Sequence, residues 1–250
     1  MNDETIRYLT RPDGERLAFR ATPGDGPTVV WIGGFRSDME GTKALALEAA
    51  ALEQGRTFVR YDHFAHGQSS GDWRQASVGR WREDAIALID SLEGPVIPVG
   101  SSMGGWVALL LALARPDRMA GVVLVNPAHD FTERLMWPGL ADHERQAILR
   151  DGETLMTEEG LGDYVLTRAM FEEARDWLLL DGPIRIAAPV HILQGRGDAV
   201  VPWRHAQALI ERMSGGDVRL DLIEDGDHRL SGPTDLARLI TAVNDMRLRR

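Results

Sequence analysis

The sequence contains no cysteine, which excludes disulfide bonds, thiolate nucleophiles and cysteine-ligated metals. No apolar run approaches the roughly 20 residues that a membrane-spanning helix needs. Residues 1–6 are acidic and lack the basic and apolar regions of a secretory signal peptide. Together these absences predict a soluble, cytoplasmic protein with no membrane span.

Positive charge is also scarce. The chain has 28 Lys and Arg against 38 Asp and Glu, which gives a formal net charge of -10 at pH 7, and Lys43 is its only lysine. Nucleic acids and anionic membranes are bound by clustered basic surfaces, and nothing basic is clustered before the last few residues, so neither is expected as a partner. Because no metal-ligand spacing and no phosphate or dinucleotide glycine motif is present, we expect no metal and no cofactor. The sequence leaves the oligomeric state open.

Most of the 250 residues, of which 44% are hydrophobic, alternate between strand and helix patterns. Buried strands are predicted at residues 28–32, 56–62, 95–100, 121–126, 189–195 and 218–223. Helix patterns separate them, and two short runs before residue 22 predict an opening hairpin. This alternation predicts an α/β fold with a mostly parallel, twisted sheet and helices on both faces.

The alternation stops between residues 129 and 186, where the apolar positions are spaced as in helices. Helices are predicted there at residues 132–136, 142–150 and 163–180. An insertion in a parallel sheet is expected to cover the carboxyl ends of the strands, where open α/β sheets bind their ligands. We therefore predict a core formed by residues 1–128 and 187–250 and a helical lid formed by residues 129–186.

A Gly-x-Ser-x-Gly sequence occupies residues 100–104, between an apolar strand and an Ala/Leu-rich helix. The small glycines permit a sharp, strained turn that lifts the middle serine above the edge of the sheet. Ser102 is therefore the candidate nucleophile, whereas Ser101 lies one residue early and points elsewhere. Pro98 conflicts with a central strand because it lacks an N–H donor; a bulge, or pairing that ends before it, would accommodate it.

A serine hydroxyl needs a base to take its proton and an acid to orient that base. After a serine on a strand-to-helix turn, the order along the chain is Asp or Glu and then His. Asp198 and His228 satisfy that order, and each comes just after a late predicted strand. We therefore predict that Ser102, Asp198 and His228 are the catalytic residues.

Six further histidines compete with His228. His63 and His66 precede the nucleophile, and His129 begins the insertion. The other three lie within predicted helices or strands and are assigned structural or surface roles: His143, His191 and His205. Only His228 follows a late strand in a short polar loop, so it is favoured.

Asp198 also has rivals. Asp130 follows a strand end and is the serious one, but its position before a helix favours a role as an N-cap. Asp225 and Asp227 are too near His228 in a tight loop to orient its far nitrogen.

Acyl transfer develops negative charge on the carbonyl oxygen of the substrate, which backbone N–H groups can stabilise. We predict two such donors, the N–H of Met103 after the nucleophile and the N–H of Phe35 in the loop after the third strand. The side chains of both residues are predicted to face the acyl group. Most apolar residues of the insertion are expected to pack against the core, but Phe131 and Trp137 are further candidates for the substrate pocket.

With these residues assigned, the chain resembles the α/β-hydrolase superfamily, and more narrowly the group that contains the mitochondrial palmitoyl-protein thioesterase and acyl-glucuronide esterase with its bacterial relatives. The resembling stretches are GTKALA (41–46), GRWR (79–82), GSSMGGW (100–106), ARP (114–116), VPW (201–203) and DHR (227–229). The resemblance implies Ser102 as nucleophile, Asp198 as acid and His228 as base, with hydrolysis of esters or thioesters that carry apolar acyl groups. Gly33 departs from the pattern, because the superfamily often has a histidine there.

The leading hypothesis is a serine carboxylesterase or acyl thioesterase that forms an acyl-enzyme from a small-molecule acyl ester or thioester. A peptidase or a carbon–carbon bond hydrolase would use the same three residues. A binding protein that keeps them to sense a ligand is the non-enzymatic alternative. A haloalkane dehalogenase or epoxide hydrolase is disfavoured, because those enzymes need a carboxylate in place of Ser102.

Overall fold

The computed structural model describes residues 5–158 and 162–248. Residues 1–4 and 249–250 of the predicted core and residues 159–161 of the predicted insertion lie outside the described residues. The strands are β1 (Arg7–Thr10), β2 (Arg16–Thr22), β3 (Asp25–Ile32), β4 (Arg56–Tyr61), β5 (Val96–Ser101), β6 (Val122–Val125), β7 (Glu153–Glu158), β8 (Gly162–Thr167), β9 (Ile184–Ile186), β10 (Val190–Gly195), β11 (Met213–Gly215) and β12 (Val218–Ile223). The α-helices are α1 (Thr42–Glu53), α2 (Val78–Asp90), α3 (Met103–Ala114), α4 (Trp137–Gly139), α5 (Asp142–Asp151), α6 (Arg168–Ala174), α7 (Trp203–Arg212) and α8 (Pro233–Leu248).

Eight of the strands form one sheet in the order β1-β2-β4-β3-β5-β6-β10-β12. The pairs β1–β2 and β2–β4 are antiparallel, and the other neighbours pair in parallel. The opening hairpin turns at residues 11–14, where Gly14 has a φ of 89° that suits glycine. The predicted mostly parallel sheet is confirmed.

Helices cover both faces of the sheet. On one face, α1 and α8 pack against apolar side chains such as Val29, Val99 and Val123. On the other face, α2, α3 and α7 form a larger core in which Trp81 and Trp106 are fully buried. Among the described residues, no helix combines the length and the apolarity needed to cross a membrane.

Pro98 lies in β5 where the pairing to one neighbour is interrupted. It pairs with Val30 of β3, but β5 pairs with β6 only from Val99 onward, after an isolated bridge between Val96 and Met119. The register between the two strands differs by one residue across this gap, as it does at a bulge. The missing N–H of the proline therefore falls at a break in the ladder.

The insertion is not entirely helical, because β7 and β8 form an antiparallel hairpin within it. The helix predicted at residues 163–180 is wrong at both ends. Its α-helical part stops at Ala174, and at its start Tyr164 and Leu166 are buried alternately with more exposed neighbours, as in a strand. Helix α6 begins only after Thr167, whose side chain accepts the N–H of Met170 and so caps the helix.

Asp130 joins the two ends of the insertion and is not the helix N-cap that the sequence suggested. Its carboxylate accepts the N–H groups of Leu179 and Leu180 at 2.8 and 2.9 Å. Burial raises its pKa, although these two donors and Arg134 oppose that shift. The rival acid therefore has a structural role of its own.

The insertion packs on α2 and α3. Glu173 of α6 accepts the N–H of Gly79 at 2.9 Å, an approach that any larger residue at that position would block, because a Cβ there would lie 2.0 Å from the glutamate. The indole of Trp106 donates to the carbonyl of Trp177 at 3.2 Å. The role of the insertion as a lid stays a prediction.

Candidate active site

Ser102 lies on a sharp turn between β5, which ends one residue before it, and α3, which begins one residue after it. Its φ and ψ are 54° and -122°, a strained conformation for a residue other than glycine. A Cβ on Gly100 would lie 2.2 Å from the carbonyl oxygen of Gly104, and a Cβ on Gly104 would lie 2.1 Å from that of Ile32. The turn predicted from the motif is therefore present, and it needs both glycines.

Asp198 and His228 form a hydrogen-bonded pair, with 2.7 Å between Asp198 Oδ2 and His228 Nδ1. The other carboxylate oxygen accepts the N–H groups of Val200 and Val201, both at 2.8 Å. Because a carboxylate only accepts, the neutral imidazole in this pair has its proton on Nδ1 and a lone pair on Nε2. The carboxylate has no exposed surface while the imidazole is 27% exposed, so the base can be reached and its acid cannot.

Hydrogen bonds bring the serine turn and the histidine together at the carboxyl ends of β5, β6 and β10. The N–H of Ser102 donates to the carbonyl of Val125 at 2.9 Å, and its own carbonyl accepts the N–H of Ala128 at 3.0 Å. Asn126 lies between Val125 and Ala128 in the sequence, and its Nδ2 donates to the carbonyl of His228 at 2.8 Å. Ser102 Oγ has no hydrogen-bond partner within the described part of the chain, and catalytic hydrogen bonds commonly tighten only in the substrate complex.

The loop after β3, residues 33–38, passes directly beside Ser102 and is called here the oxyanion loop. A Cβ on Gly34 would lie 3.3 Å from the Cβ of Ser102. The N–H of Phe35 donates to no residue that the structure describes. The N–H of Met103 belongs to the first turn of α3, where N–H groups have no partner within the helix. The role of these two groups as oxyanion donors stays a prediction.

Two buried histidines hold the oxyanion loop. His66 Nε2 accepts the N–H of Arg36 at 3.1 Å, while its Nδ1 donates to the carbonyl of Phe64 at 2.9 Å. His63 Nε2 lies 3.2 Å from the carbonyl oxygen of Gly33. Burial lowers the pKa of His66 to about 4 and that of His63 to about 3. Both therefore remain neutral near pH 7, as His66 must in order to accept a backbone N–H.

The oxyanion loop also contacts the insertion. Phe35 packs edge-on against four aromatic rings, those of Trp73, Trp81, Phe131 and Tyr164. The guanidinium of Arg36 lies over Trp73 and over Tyr164 of β8, at 5.0 and 5.5 Å from the ring centroids. Arg36 Nη2 donates to the carbonyl of Asp163 at 3.3 Å. Arg36 thus connects the loop beside Ser102 to the β7–β8 hairpin.

The four residues predicted to contact substrate lie in different surroundings. Phe131 is 6% exposed and its ring centroid lies 5.8 Å from that of Phe35. The side chain of Met103 is buried in the core. Trp137 packs against Phe171 of α6, with 5.1 Å between ring centroids. Phe131 is therefore in contact with the oxyanion loop, whereas Trp137 contacts another part of the insertion.

The remaining buried histidines have partners away from the Asp198–His228 pair. His129 stacks on His205 with 3.9 Å between centroids, and burial lowers the pKa of both. His191 lies 3.0 Å from Asp221. Across residues 5–158 and 162–248, no three histidine or carboxylate side chains are grouped so that they could bind a metal ion.

A doubly covered parallel sheet, with a serine on a strained turn after its central strand β5, is the architecture of the α/β-hydrolase superfamily, and the protein is a hydrolase of that class. Residues 27–155 match the family model described as "Serine aminopeptidase, S33". The chain belongs to that family.

The similar proteins include the group that the sequence resembles, which confirms that resemblance. Bos taurus mitochondrial palmitoyl-protein thioesterase ABHD10 is 34% identical over 97% of this chain and 80% of its own length. The crystal structure of a putative hydrolase from Agrobacterium vitis S4 has a TM-score of 0.91 at 38% identity, covering 97% of this chain and 98% of its own. Mouse ABHD10 has a TM-score of 0.88 at 31% identity, with the same coverage. The bovine relative is mitochondrial, so the cytoplasmic location expected for this chain gains no support and stays a prediction.

Proposed function

We propose that the protein is a serine hydrolase that cleaves small-molecule carboxylic esters or thioesters with apolar acyl groups. The observation that carries the proposal is the 2.7 Å Asp198–His228 hydrogen bond at the same end of the sheet as Ser102. The thioesterase relative supports ester and thioester chemistry. The rings of Phe35 and Phe131, packed together beside the serine turn, support an apolar acyl group.

In the proposed reaction, His228 Nε2 takes the proton of Ser102 Oγ as this oxygen attacks the carbonyl carbon of the substrate. The N–H groups of Phe35 and Met103 donate to the tetrahedral oxyanion. Collapse returns the proton from His228 to the departing alcohol or thiol and leaves an acyl-enzyme. The imidazole of His228 then takes a proton from water, which attacks the acyl-enzyme and releases the carboxylic acid product. Throughout, Asp198 keeps the imidazole in the required tautomer.

A peptidase is the second candidate, and the description of the matched family as a serine aminopeptidase favours it. It would use the same serine, acid and base. It differs in its leaving group, because an amine is a much poorer leaving group than an alcohol or a thiol and departs only when it is protonated. Comparing ester, thioester and amide substrates therefore separates the two candidates.

The test uses p-nitrophenyl esters of increasing chain length, the matching S-acyl thioesters and amino-acid p-nitroanilides. Ser102→Ala is expected to lower kcat by at least about 10³-fold, and the control Ser101→Ala, one residue earlier and buried, should retain most activity. Turnover that survives Ser102→Ala, or no turnover on any substrate, would contradict the proposal. Turnover confined to the anilides would favour the peptidase.

A further inference from the structure

The loop that carries His228, residues 224–232, lies between β12 and α8 and is called here the base loop. Its three carbonyls at residues 227–229 each accept a hydrogen bond from a side chain outside the loop. Asn126 Nδ2 donates to the first two, at 2.9 and 2.8 Å, and Lys43 Nζ donates to the third. The backbone on both sides of the imidazole is thus fixed by two side chains.

Asn126 also holds the strand that leads to the acid. Its Oδ1 accepts the N–H of Gly195 at 2.7 Å, and its backbone N–H donates to the carbonyl of Leu193 at 2.9 Å. Asp198 follows three residues after Gly195. One fully buried side chain therefore joins the end of β10 to the backbone of His228.

The other backbone contacts of the base loop do not reach the carbonyl of His228. The carboxylate of Asp227 accepts the N–H groups of Arg229 and Leu230, which shapes the turn from within. The carbonyl of Gly226, two residues before His228 in the sequence, accepts the N–H of Gly197 at 3.0 Å. At His228 itself, the carbonyl has Asn126 as its donor.

We infer that Asn126 is a positioning residue that sets His228 relative to Asp198 and Ser102, an inference that rests on the proposed function. Asparagine suits the position because it offers two donors and an acceptor on one short side chain, whereas aspartate offers acceptors only. Its φ is 45°, a left-handed conformation that asparagine tolerates better than most residues. A displacement of the base by about 1 Å is enough to lower a rate about 100-fold.

The first test is Asn126→Gly, which removes the side chain and keeps a residue that accepts the positive φ. We expect kcat to fall about 10- to 100-fold with KM little changed, because the substrate still binds and the chemical step suffers. The rate of Ser102 labelling by a fluorophosphonate should fall in parallel. Val243→Ala, at a buried position within α8, is the control that destabilises the fold and should leave kcat unchanged.

The second test separates positioning from a general structural role. In a His228→Ala background, Asn126→Gly should change the residual rate by less than about twofold, because the side chain acts through the missing imidazole. An equal cost in both backgrounds, or wild-type kcat and labelling in Asn126→Gly, would overturn the inference. If the glycine variant does not fold, Asn126→Ser, which keeps one donor, is measured by the same criteria.

The outcomes also distinguish the two proposals. A wild-type protein that is labelled at Ser102 but turns over no acyl substrate contradicts the proposed function alone, since the effect of Asn126 is still measured by labelling. Turnover that depends on Ser102 but not on Asn126 contradicts the inference alone. A wild-type protein that is not labelled overturns both.

Discussion

Two loops meet at Ser102, and they are held in different ways. The base loop is fixed by hydrogen bonds from the core, above all from Asn126 at the end of β6. The oxyanion loop is held by the neutral imidazole of His66 and, through Arg36, by the β7–β8 hairpin of the insertion. The base side should therefore respond to changes in the sheet, and the oxyanion side to acid and to changes in the insertion.

The largest expected effect comes from changing Asp198, the hydrogen-bond partner of His228 on the base loop. Asp198→Asn keeps the shape of the side chain but favours the imidazole tautomer with its proton on Nε2, which cannot take the proton of Ser102. The corresponding substitution in serine proteases lowers kcat about 10⁴-fold, and we expect a loss of that order in ester hydrolysis. Asp225→Asn, in the same loop as His228 and exposed, is the matched control. A loss of only tenfold or less in Asp198→Asn would remove this residue as the acid.

The next largest effect is a loss of stability at low pH, which acts on His66, the histidine that holds the oxyanion loop. The unfolded chain protonates a histidine near pH 6.5, but burial lowers the pKa of His66 to about 4 in the folded protein. Between these values the unfolded state binds more protons, so the free energy of unfolding falls as the pH falls, by up to about 3 kcal/mol for His66 alone. His63, with its pKa lowered to about 3, adds to the same slope.

Urea unfolding at several pH values between 7 and 4 measures this slope. His66→Asn removes one titrating group and should make the slope shallower. His143→Asn, at an exposed position of α5, is the control for replacing a histidine by asparagine. Equal slopes in wild type and His66→Asn would show that His66 is protonated at the same pH in the folded and the unfolded protein, which contradicts the prediction.

Local patterns were sufficient to predict the sheet and the order of the candidate residues. Ser102, Asp198 and His228 each follow a strand, and the carboxyl ends of parallel strands lie at one edge of the sheet. The sequence pattern does not reveal the β7–β8 hairpin, because the apolar residues at 164–166 run into the helical spacing that follows them. Only the pairing of β8 with β7 and the helix cap at Thr167 separate strand β8 from helix α6.

Partners distant in the chain explain the other misses. Asp130 looked like a helix cap because its neighbours in sequence are helical, and its actual donors lie 49 and 50 residues later. Nothing nearby in the sequence indicates that His66 bonds to Arg36 or that Asn126 bonds to the base loop. Which side chain holds a loop is decided by tertiary contacts, and these two residues acquire their roles only when the sheet has formed.

A smaller effect tests the link between the oxyanion loop and the insertion. Arg36→Met keeps the aliphatic stem and the same backbone requirement, but removes the charge that stacks on Trp73 and Tyr164 and donates to Asp163. We expect kcat to fall about tenfold, because the N–H of Phe35 next to it is less well held and a weakened oxyanion donor costs up to about 100-fold. The fluorescence-monitored melting temperature serves as the stability control. An unchanged kcat would mean that the hairpin does not influence the oxyanion loop.

The smallest effect sharpens that result. Arg74 and Glu153 also connect the core to the β7–β8 hairpin, at 2.9 Å, but their side chains are 57% and 42% exposed and neither belongs to the oxyanion loop. Because exposed ion pairs contribute little, Arg74→Met should leave both the free energy of unfolding and kcat close to those of the wild type. If Arg74→Met lowered kcat as much as Arg36→Met, any loosening of the hairpin would suffice. A loss confined to Arg36→Met would instead assign the coupling to the arginine of the oxyanion loop.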